Sequence, residues 1–161
     1  MIGQFTLPLR TIPRRPVVTL TDFFGWDAML DTGALIPVWV IEERVLQKCG
    51  AKLIANNTTF TGFGGKASGN AYVIKNFKFG SLLYPDFHIV VSKTDIPAQM
   101  ILPATMFDGL IYEVDTHNHA LNIEIPDTQS TVRNLILEQR NGRIVVLCNN
   151  VDSLTGKKFP A

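Results

Sequence analysis

The chain contains few cysteines and has no large charge of either sign. Its two cysteines, Cys49 and Cys148, are far apart and lack the spacing of a metal motif. We therefore expect free thiols in a reducing compartment rather than a disulfide framework. The 15 basic and 14 acidic residues leave a net charge of +1, which gives no electrostatic reason to expect nucleic acid as a partner.

Long apolar runs are also missing. No stretch approaches the ~20 residues that a membrane-spanning helix requires. The first residues, Met1 to Phe5, do not form a charged segment followed by an apolar one, as a secretory signal does. We therefore expect a cytoplasmic protein without a membrane partner. Apolar residues make up 46% of the 161 residues, which is enough for the core of one domain.

Short apolar or alternating segments bounded by turn residues predict a mostly β domain. Residues 110–114 and 120–125 have the pattern of a hairpin. A second hairpin is predicted from residues 135–139 and 143–147, because Asn141-Gly142 between them is a strong tight-turn signal. A count of about nine to eleven short strands with one or two short helices favours a small closed barrel.

Two short helices are predicted. Over 37–48, apolar residues recur at helical spacing. Pro37 suits a first helical turn and Gly50 a helix end. The second candidate covers residues 104–108. By contrast, residues 1–16 contain three prolines and are expected to form an extended arm with strand potential.

The strongest functional candidate is Asp31-Thr32-Gly33, which follows an apolar strand. A carboxylate at the edge of a core is costly unless it is paired or used. Gly33 permits a sharp turn and a close approach, and the Thr32 hydroxyl can lock a loop. These residues would hold one carboxylate rigidly at a loop tip. The same residues also fit an ordinary turn that Asp31 caps locally.

The second candidate is a glycine-rich stretch at residues 61–69. Four glycines in nine residues do not build a core, and they predict a mobile loop or the tip of a hairpin. A phosphate-binding loop would need a following helix, whereas this stretch is followed by a strand pattern.

Three segments resemble, in the same order, the retropepsin-like aspartic proteases. Residues 30–34, Leu-Asp-Thr-Gly-Ala, resemble the active-site strand and loop of that family. Residues 61–65, Thr-Gly-Phe-Gly-Gly, are similar to its flap tip. Residues 101–103 and 106–107 are similar to the apolar pair and short helix that follow. The resemblance therefore implies an acid-protease-like barrel, in which the N-terminal arm often joins a dimer interface.

The resemblance covers about residues 16–126 and sets the domain assignment. Residues 1–126 are expected to form the protease domain with its N-terminal arm. Residues 127–161 are expected to add a C-terminal β-hairpin extension and a tail.

The resemblance implies an aspartic endopeptidase that acts as a homodimer on peptide or protein substrates. The chemistry requires two carboxylates that share a proton and activate a water. This chain has one Asp-Thr-Gly, and its other Asp-Thr, at Asp115-Thr116, is followed by His117. The partner of catalytic Asp31 would therefore be Asp31 of a second copy. No cofactor or metal is implied.

Supporting roles are implied for residues on either side of Asp31. Thr32, Gly33 and Ala34 would support the active-site loop. The residues implied to close over the substrate are Gly62, Phe63, Gly64 and Gly65. One departure is Pro103, which stands where the family usually has glycine, and this change affects the region packed beneath the active-site loop.

Other interpretations remain open. One alternative is a retropepsin-fold dimer that holds extended peptides without cleaving them, although such a module has no need for a proton-sharing carboxylate pair. A third alternative is an unrelated small β-barrel that binds a ligand, and a monomeric state in solution would favour it. His117 and His119 are spaced for zinc on a strand but also suit a polar hairpin tip. His88 is expected to be structural, and Cys49 to be a packing residue. The basic residues Arg10, Arg14 and Arg15 are expected to lie on a solvated arm.

Overall fold

The computed structural model describes residues 2–12, 15–62, 65–140, 143–151 and 158–159. The described strands are β1 (Gly3–Ile12), β2 (Arg15–Leu20), β3 (Trp26–Asp31), β4 (Val38–Trp39), β5 (Lys52–Gly62), β6 (Gly65–Phe79), β7 (Leu82–Val91), β8 (Met100–Pro103), β9 (Ile111–Asp115), β10 (Ala120–Ile125), β11 (Arg133–Arg140), β12 (Arg143–Val151) and β13 (Lys158–Phe159). Helix α1 is Glu43–Lys48, and a 3-10 helix forms at Ala104–Phe107. None of the helices in these ranges has the length and apolar character needed to cross a bilayer.

One sheet joins the described strands in the order β13-β12-β11-β7-β4-β8-β3-β2-β1-β10-β9. The β5–β6 hairpin attaches to it because β6 pairs with β7. At the centre, β3 is parallel to β8, whereas β4 is antiparallel to β8 and parallel to β7. Strands β3 and β8 are far apart in the sequence and lie side by side in the sheet.

The sheet is not closed into the barrel that the sequence predicted. Strand β1 pairs with β10 over residues 3–8 and with β2 over residues 9–12. The sheet therefore continues past β1 to an edge at β9, which among the described strands pairs with β10 alone. The prediction of a mostly β chain with few helices is confirmed, but the closed barrel is wrong.

The helix predicted over 37–48 is shorter than expected, because it begins only at Glu43. Val38 and Trp39 form β4 and pair with both β7 and β8. A β-branched residue and a fully buried tryptophan fit the pleated interior of a sheet well, and this pairing overrides the helical spacing. The second predicted helix is confirmed as the 3-10 helix at Ala104–Phe107.

Both predicted hairpins are present. The β9–β10 pairing matches the first, and the β11–β12 pairing matches the second, although the Asn141-Gly142 turn lies outside the described residues. Strand β11 also reaches the main sheet, since Leu135 pairs with Phe87 of β7 and is fully buried. Strand β11 of this hairpin is thus packed against the rest of the chain.

The core lies on both sides of β3 and β8. Successive side chains of a strand point to opposite faces. Leu30 and Leu102 therefore join one apolar cluster, which also contains Trp39. Met29 and Ile101 join a second cluster. Because apolar residues cover both faces, the ends of β3 and β8 are held firmly in place.

Candidate active site

Strands β3 and β8 end together, and Asp31 is the last residue of β3. Their parallel register places Leu30 beside Leu102 and Asp31 beside Pro103. Leu30 and Leu102 are both buried, whereas 14% of the Asp31 side chain is exposed. The carboxylate therefore stands where the core meets the surface, at the end of two packed strands.

The loop after Asp31 fixes the orientation of its carboxylate. The Gly33 N–H donates to Asp31 Oδ1 at 2.9 Å, and the Ala34 N–H donates to the Asp31 carbonyl oxygen at 3.1 Å. A Cβ atom at Gly33 would lie only 3.3 Å from Asp31 Oδ1, so glycine permits this close approach. Thr32 is exposed at the tip of the loop, and Ala34 packs partly against the second core cluster.

A cation lies next to the carboxylate. Arg15 Nη1 is 3.8 Å from Asp31 Oδ2, and 45% of the Arg15 side chain is exposed. Arg15 was expected to lie on a solvated arm, yet it begins β2, the neighbour of β3. The register of the β2–β3 pairing explains this position, because Val17 pairs with Met29 and two further steps along both strands lead to residues 15 and 31.

The other arginines of the basic cluster differ from Arg15. Arg10 pairs with Asp27 at 3.0 Å, at the opposite end of β3, and also donates to the Pro97 carbonyl oxygen at 2.8 Å. Arg14 lies outside the described residues. Of the two arginines that are described, only Arg15 contacts Asp31.

A cleft of about 410 Å³ opens at Asp31. Its described lining residues are Arg15, Pro16, Leu30, Asp31, Thr32, Ala104, Phe107, Tyr112 and Val114. Tyr112 stacks on Phe107, with ring centroids 4.6 Å apart. Sequence reasoning missed Arg15, Pro16, Tyr112 and Val114. Tyr112 and Val114 are two positions apart on β9 and therefore share one face. The sequence shows this spacing, but only the structure shows that the face borders the cleft.

The glycine-rich stretch forms the end of the β5–β6 hairpin. Gly62 pairs with Gly65. Phe63 and Gly64 lie outside the described residues. The base of the hairpin passes very close to β7, because a Cβ atom at Gly69 would lie 1.8 Å from the Val91 carbonyl oxygen. The described part of the glycine-rich stretch thus belongs to a hairpin, which was one of the two forms predicted.

Hydrogen bonds tie this hairpin to α1. Glu43 accepts from the Asn70 side-chain amide at 3.0 Å and from the Tyr72 hydroxyl. Gln47 Nε2 donates to the Tyr72 oxygen at 2.8 Å. Burial, followed by the hydrogen bond to Glu43, raises the pKa of Tyr72. Asn70 also accepts from the Asn57 N–H at 3.2 Å, so one side chain connects α1 to both strands of the hairpin.

The remaining sequence candidates have local structural roles. Asp115 accepts from the Asn118 N–H and side-chain amide at 3.0 and 2.8 Å, and these bonds lower the pKa of Asp115. His88 Nδ1 accepts from the Leu137 N–H at 3.0 Å. Burial raises the pKa of Cys49, which packs against the core. Within the described part of the chain, His117 and His119 belong to no group of three or more possible metal ligands.

Comparisons with known proteins identify the family of this chain. Residues 25–111 match the sequence model of the family described as aspartyl protease. The matched segment contains Asp31 and Pro103 and spans more than half of the chain. Together the fold and the site define a retropepsin-like aspartic protease. The chain therefore belongs to the aspartyl protease family.

A solved structure supports the fold. The chain resembles the crystal structure of a retropepsin-like aspartic protease from Rickettsia conorii, with a TM-score of 0.54 and 16% sequence identity. The similarity covers 76% of this chain and 91% of that one. A search among curated proteins found no match.

Proposed function

We propose that the chain is an aspartic endopeptidase whose catalytic pair consists of Asp31 from two copies. The position of Asp31 carries this proposal: its carboxylate stands in a cleft, at the end of two packed strands, with Oδ1 held by the Gly33 N–H at 2.9 Å. Membership of the aspartyl protease family supports hydrolysis by carboxylates. The single Asp-Thr-Gly supports a site assembled from two copies.

The proposed chemistry depends on one shared proton. Two carboxylates a few ångströms apart do not both ionise, so the pair holds one proton between them. The ionised Asp31 accepts a proton from the attacking water, and the protonated one donates a hydrogen bond to the scissile carbonyl oxygen. The two apparent pKa values then belong to the pair rather than to either residue.

The proposed homodimer brings the two loops together across a two-fold axis. Thr32 is exposed at the loop tip, where it can meet the same residue of the second copy. Gly33 carries no side chain that would keep the loops apart. Ala34 anchors the loop against the core.

The substrate in this proposal is an extended peptide or protein segment. The flap tip that the resemblance implies, with Gly62, Phe63, Gly64 and Gly65, would close over the peptide and exclude water. Main-chain groups of the tip would bond the peptide as an added strand does.

We assign the protease domain to residues 1–126 and a β-hairpin extension to residues 127–161, in a cytoplasmic protein.

The proposal is tested by incubating a diverse peptide library with the wild-type protein and with the variant Asp31→Asn. Both are assayed from acid to neutral pH, at concentrations high enough to populate a dimer, and cleavage is detected by mass spectrometry. The matched control is Asp115→Asn, because Asp115 begins the other Asp-Thr of the chain and caps an exposed turn. We expect cleavage by the wild type and the control only. Cleavage by Asp31→Asn at the wild-type rate would show that Asp31 is not catalytic.

The two-copy site is tested by mixing. When the wild-type protein is exchanged with Asp31→Asn, the activity should fall with the square of the wild-type fraction, because a mixed dimer holds one carboxylate. A fall in direct proportion to that fraction would show that each copy works alone. Binding of peptides without cleavage, by a confirmed wild-type dimer, would favour the binding module.

A further inference from the structure

The outer part of the β5–β6 hairpin leaves the main sheet as a two-stranded ribbon. Strand β6 pairs with β7 from Ala71 to Phe79. Nearer the tip, the described pairs of β6 join residues 65–69 to residues 58–62 of β5. We call these two stretches the outer ribbon. A two-stranded ribbon is only marginally stable by itself, so the direction of the outer ribbon depends on the contacts at its base.

Strand β5 is irregular at that base. Its register against β6 shifts between Leu53 and Ala55 and again between Ala55 and Thr58. Asn57 lies within the second shift and has a φ of 51°, in the left-handed region. Because extra residues of this kind bend a strand, β5 alone does not fix the angle at which the outer ribbon leaves the sheet.

Asn70 makes contacts on both sides of this irregular base. Its amide donates to Glu43 of α1 at 3.0 Å, and its side-chain oxygen accepts from the Asn57 N–H at 3.2 Å. Tyr72 lies two positions further along β6, on the same face, and its hydroxyl donates to the same Glu43 oxygen. Helix α1 is itself anchored, because Leu46 is fully buried in the main core. The base of the outer ribbon is therefore tied to an element that is held in place.

We propose that Asn70 and Glu43 are positioning residues, which hold the outer ribbon at the angle from which it closes over a bound peptide. The inference rests on the proposed function, because it concerns how the same hairpin meets its substrate. A hydrogen bond to a charged group is stronger than one between neutral groups, so the bond from Asn70 to the Glu43 carboxylate is the contact whose loss should release the ribbon. Neither residue belongs to the described lining of the cleft at Asp31, so both act on the reaction indirectly.

The test reverses the hydrogen bond between residues 70 and 43. In Asn70→Asp two carboxylates face each other and this bond is lost, whereas the acceptor for the Asn57 N–H is kept. Adding Glu43→Gln supplies an amide that donates to the new carboxylate. At about pH 7, where carboxylates are ionised, amide hydrogen exchange in the outer ribbon should be roughly tenfold faster in Asn70→Asp. In the double variant it should return to within about threefold of the wild type. Exchange in β3 and β8 should stay unchanged, because the opening is local.

Peptide cleavage supplies the second readout. For the library peptide that the wild type cleaves fastest, KM should rise roughly fivefold in Asn70→Asp while kcat stays within about twofold. The reason is that the ribbon contributes to peptide binding, whereas the Asp31 carboxylates stay in place. The double variant should recover the wild-type KM. A protein that was merely destabilised would instead contain less active enzyme, which lowers the apparent kcat and leaves KM unchanged.

Asn56→Asp is the matched control, because it makes the same chemical change at an exposed residue of β5, close to the same base. It should leave hydrogen exchange and KM unchanged. Equal exchange of the outer ribbon in the wild type and in Asn70→Asp would overturn the inference. Fast exchange that the double variant does not slow would also overturn it, because the loss would not come from the bond between residues 70 and 43.

This inference and the proposed function fail in different ways. Cleavage with a KM that Asn70→Asp leaves unchanged would reject the inference and leave the endopeptidase intact. If the wild type cleaves no library peptide, the endopeptidase is rejected, and capture of library peptides by the immobilised proteins then decides the inference. Capture by the wild type and the double variant, but not by Asn70→Asp, would support it. Equal capture by all three proteins would overturn it.

Discussion

Pro103 is the neighbour of Asp31 across the parallel pairing of β3 and β8. It stands where the resemblance led us to expect glycine. A proline at this position was expected to affect the geometry beneath the active-site loop. The loop nevertheless keeps its hydrogen bond from Gly33 to Asp31 Oδ1, at 2.9 Å. Pro103 is buried at the last position of β8, so its ring packs in the core while the 3-10 helix begins at the next residue.

Replacing Pro103 with glycine should lower stability while the Asp31 loop keeps its form. Pro103→Gly makes the unfolded chain more flexible and removes a buried ring, so we expect a loss of about 1–3 kcal/mol in the free energy of unfolding. Urea unfolding measures it. Pro97→Gly is the control, because Pro97 is exposed and lies outside the strands. Its loss of stability should reflect the greater flexibility of the unfolded chain but not the loss of a buried ring. Equal losses in both variants would show that burial of the Pro103 ring contributes nothing.

Gly69 should not tolerate a side chain. In Gly69→Ala the added Cβ would lie 1.8 Å from the Val91 carbonyl oxygen, and a backbone atom of a packed strand has little freedom to move. We expect a loss of about 2–4 kcal/mol, or a displaced β5–β6 hairpin. Thermal unfolding and hydrogen exchange of β6 amides distinguish these results.

Gly3→Ala serves as the control for this substitution. A Cβ atom at Gly3 meets only Ile125 Cδ1, at the ordinary distance of 3.7 Å. That variant should stay within about 0.5 kcal/mol of the wild type. If Gly69→Ala behaved in the same way, the close contact between β6 and β7 would not be present in solution.

The parts of the fold that local sequence determines were predictable. The apolar run before Asp31 gave β3, and Asn141-Gly142 between two alternating segments gave the β11–β12 hairpin. The hairpin form of the glycine-rich stretch was also predictable, because glycine favours turns and tips. Asp31 was predicted as the candidate site residue from its immediate neighbours in the sequence, and the structure places it in a cleft.

The parts that depend on distant pairing were not predictable. Helical spacing over 37–48 competed with strand pairing between Val38 and its partners Val90 and Ile101, which are distant in the sequence, and the pairing prevailed. The open edge at β9 arises because β1 pairs with β10 along its first residues and with β2 along its last ones. Arg15 was missed as a cleft residue because its role depends on its distance to Asp31, whereas the sequence shows only a basic cluster.

The C-terminal segment should contribute to the stability of the main sheet. Leu135 is fully buried in the main core and pairs with Phe87. Leu135→Ala leaves a cavity, so we expect a loss of about 2–5 kcal/mol in the free energy of unfolding, measured in urea. Leu35→Ala is the control, because 61% of Leu35 is exposed, and it should change stability little. A single unfolding transition is expected, and two separate transitions would show that the segment folds independently.

Tyr72 should make the protein less stable at high pH. Its pKa in the folded state is raised by burial and then by its hydrogen bond to Glu43, whereas an unfolded tyrosine titrates near ~10. The unfolded state therefore loses its proton first. The stabilising contribution of Tyr72 is complete below about pH 10 and is lost as the pH rises through the folded pKa.

The variant Tyr72→Phe removes this titration together with the hydrogen bonds to Glu43 and Gln47. At pH 8 it should be less stable than the wild type by about 1–2 kcal/mol. Between about pH 9 and 11 its free energy of unfolding should fall less steeply, so that the difference between the two proteins narrows. Urea unfolding at a series of pH values measures both slopes, and the other ionisable groups contribute equally to the two proteins. Parallel slopes would show that Tyr72 titrates alike in both states and that the bond to Glu43 does not hold its proton in solution.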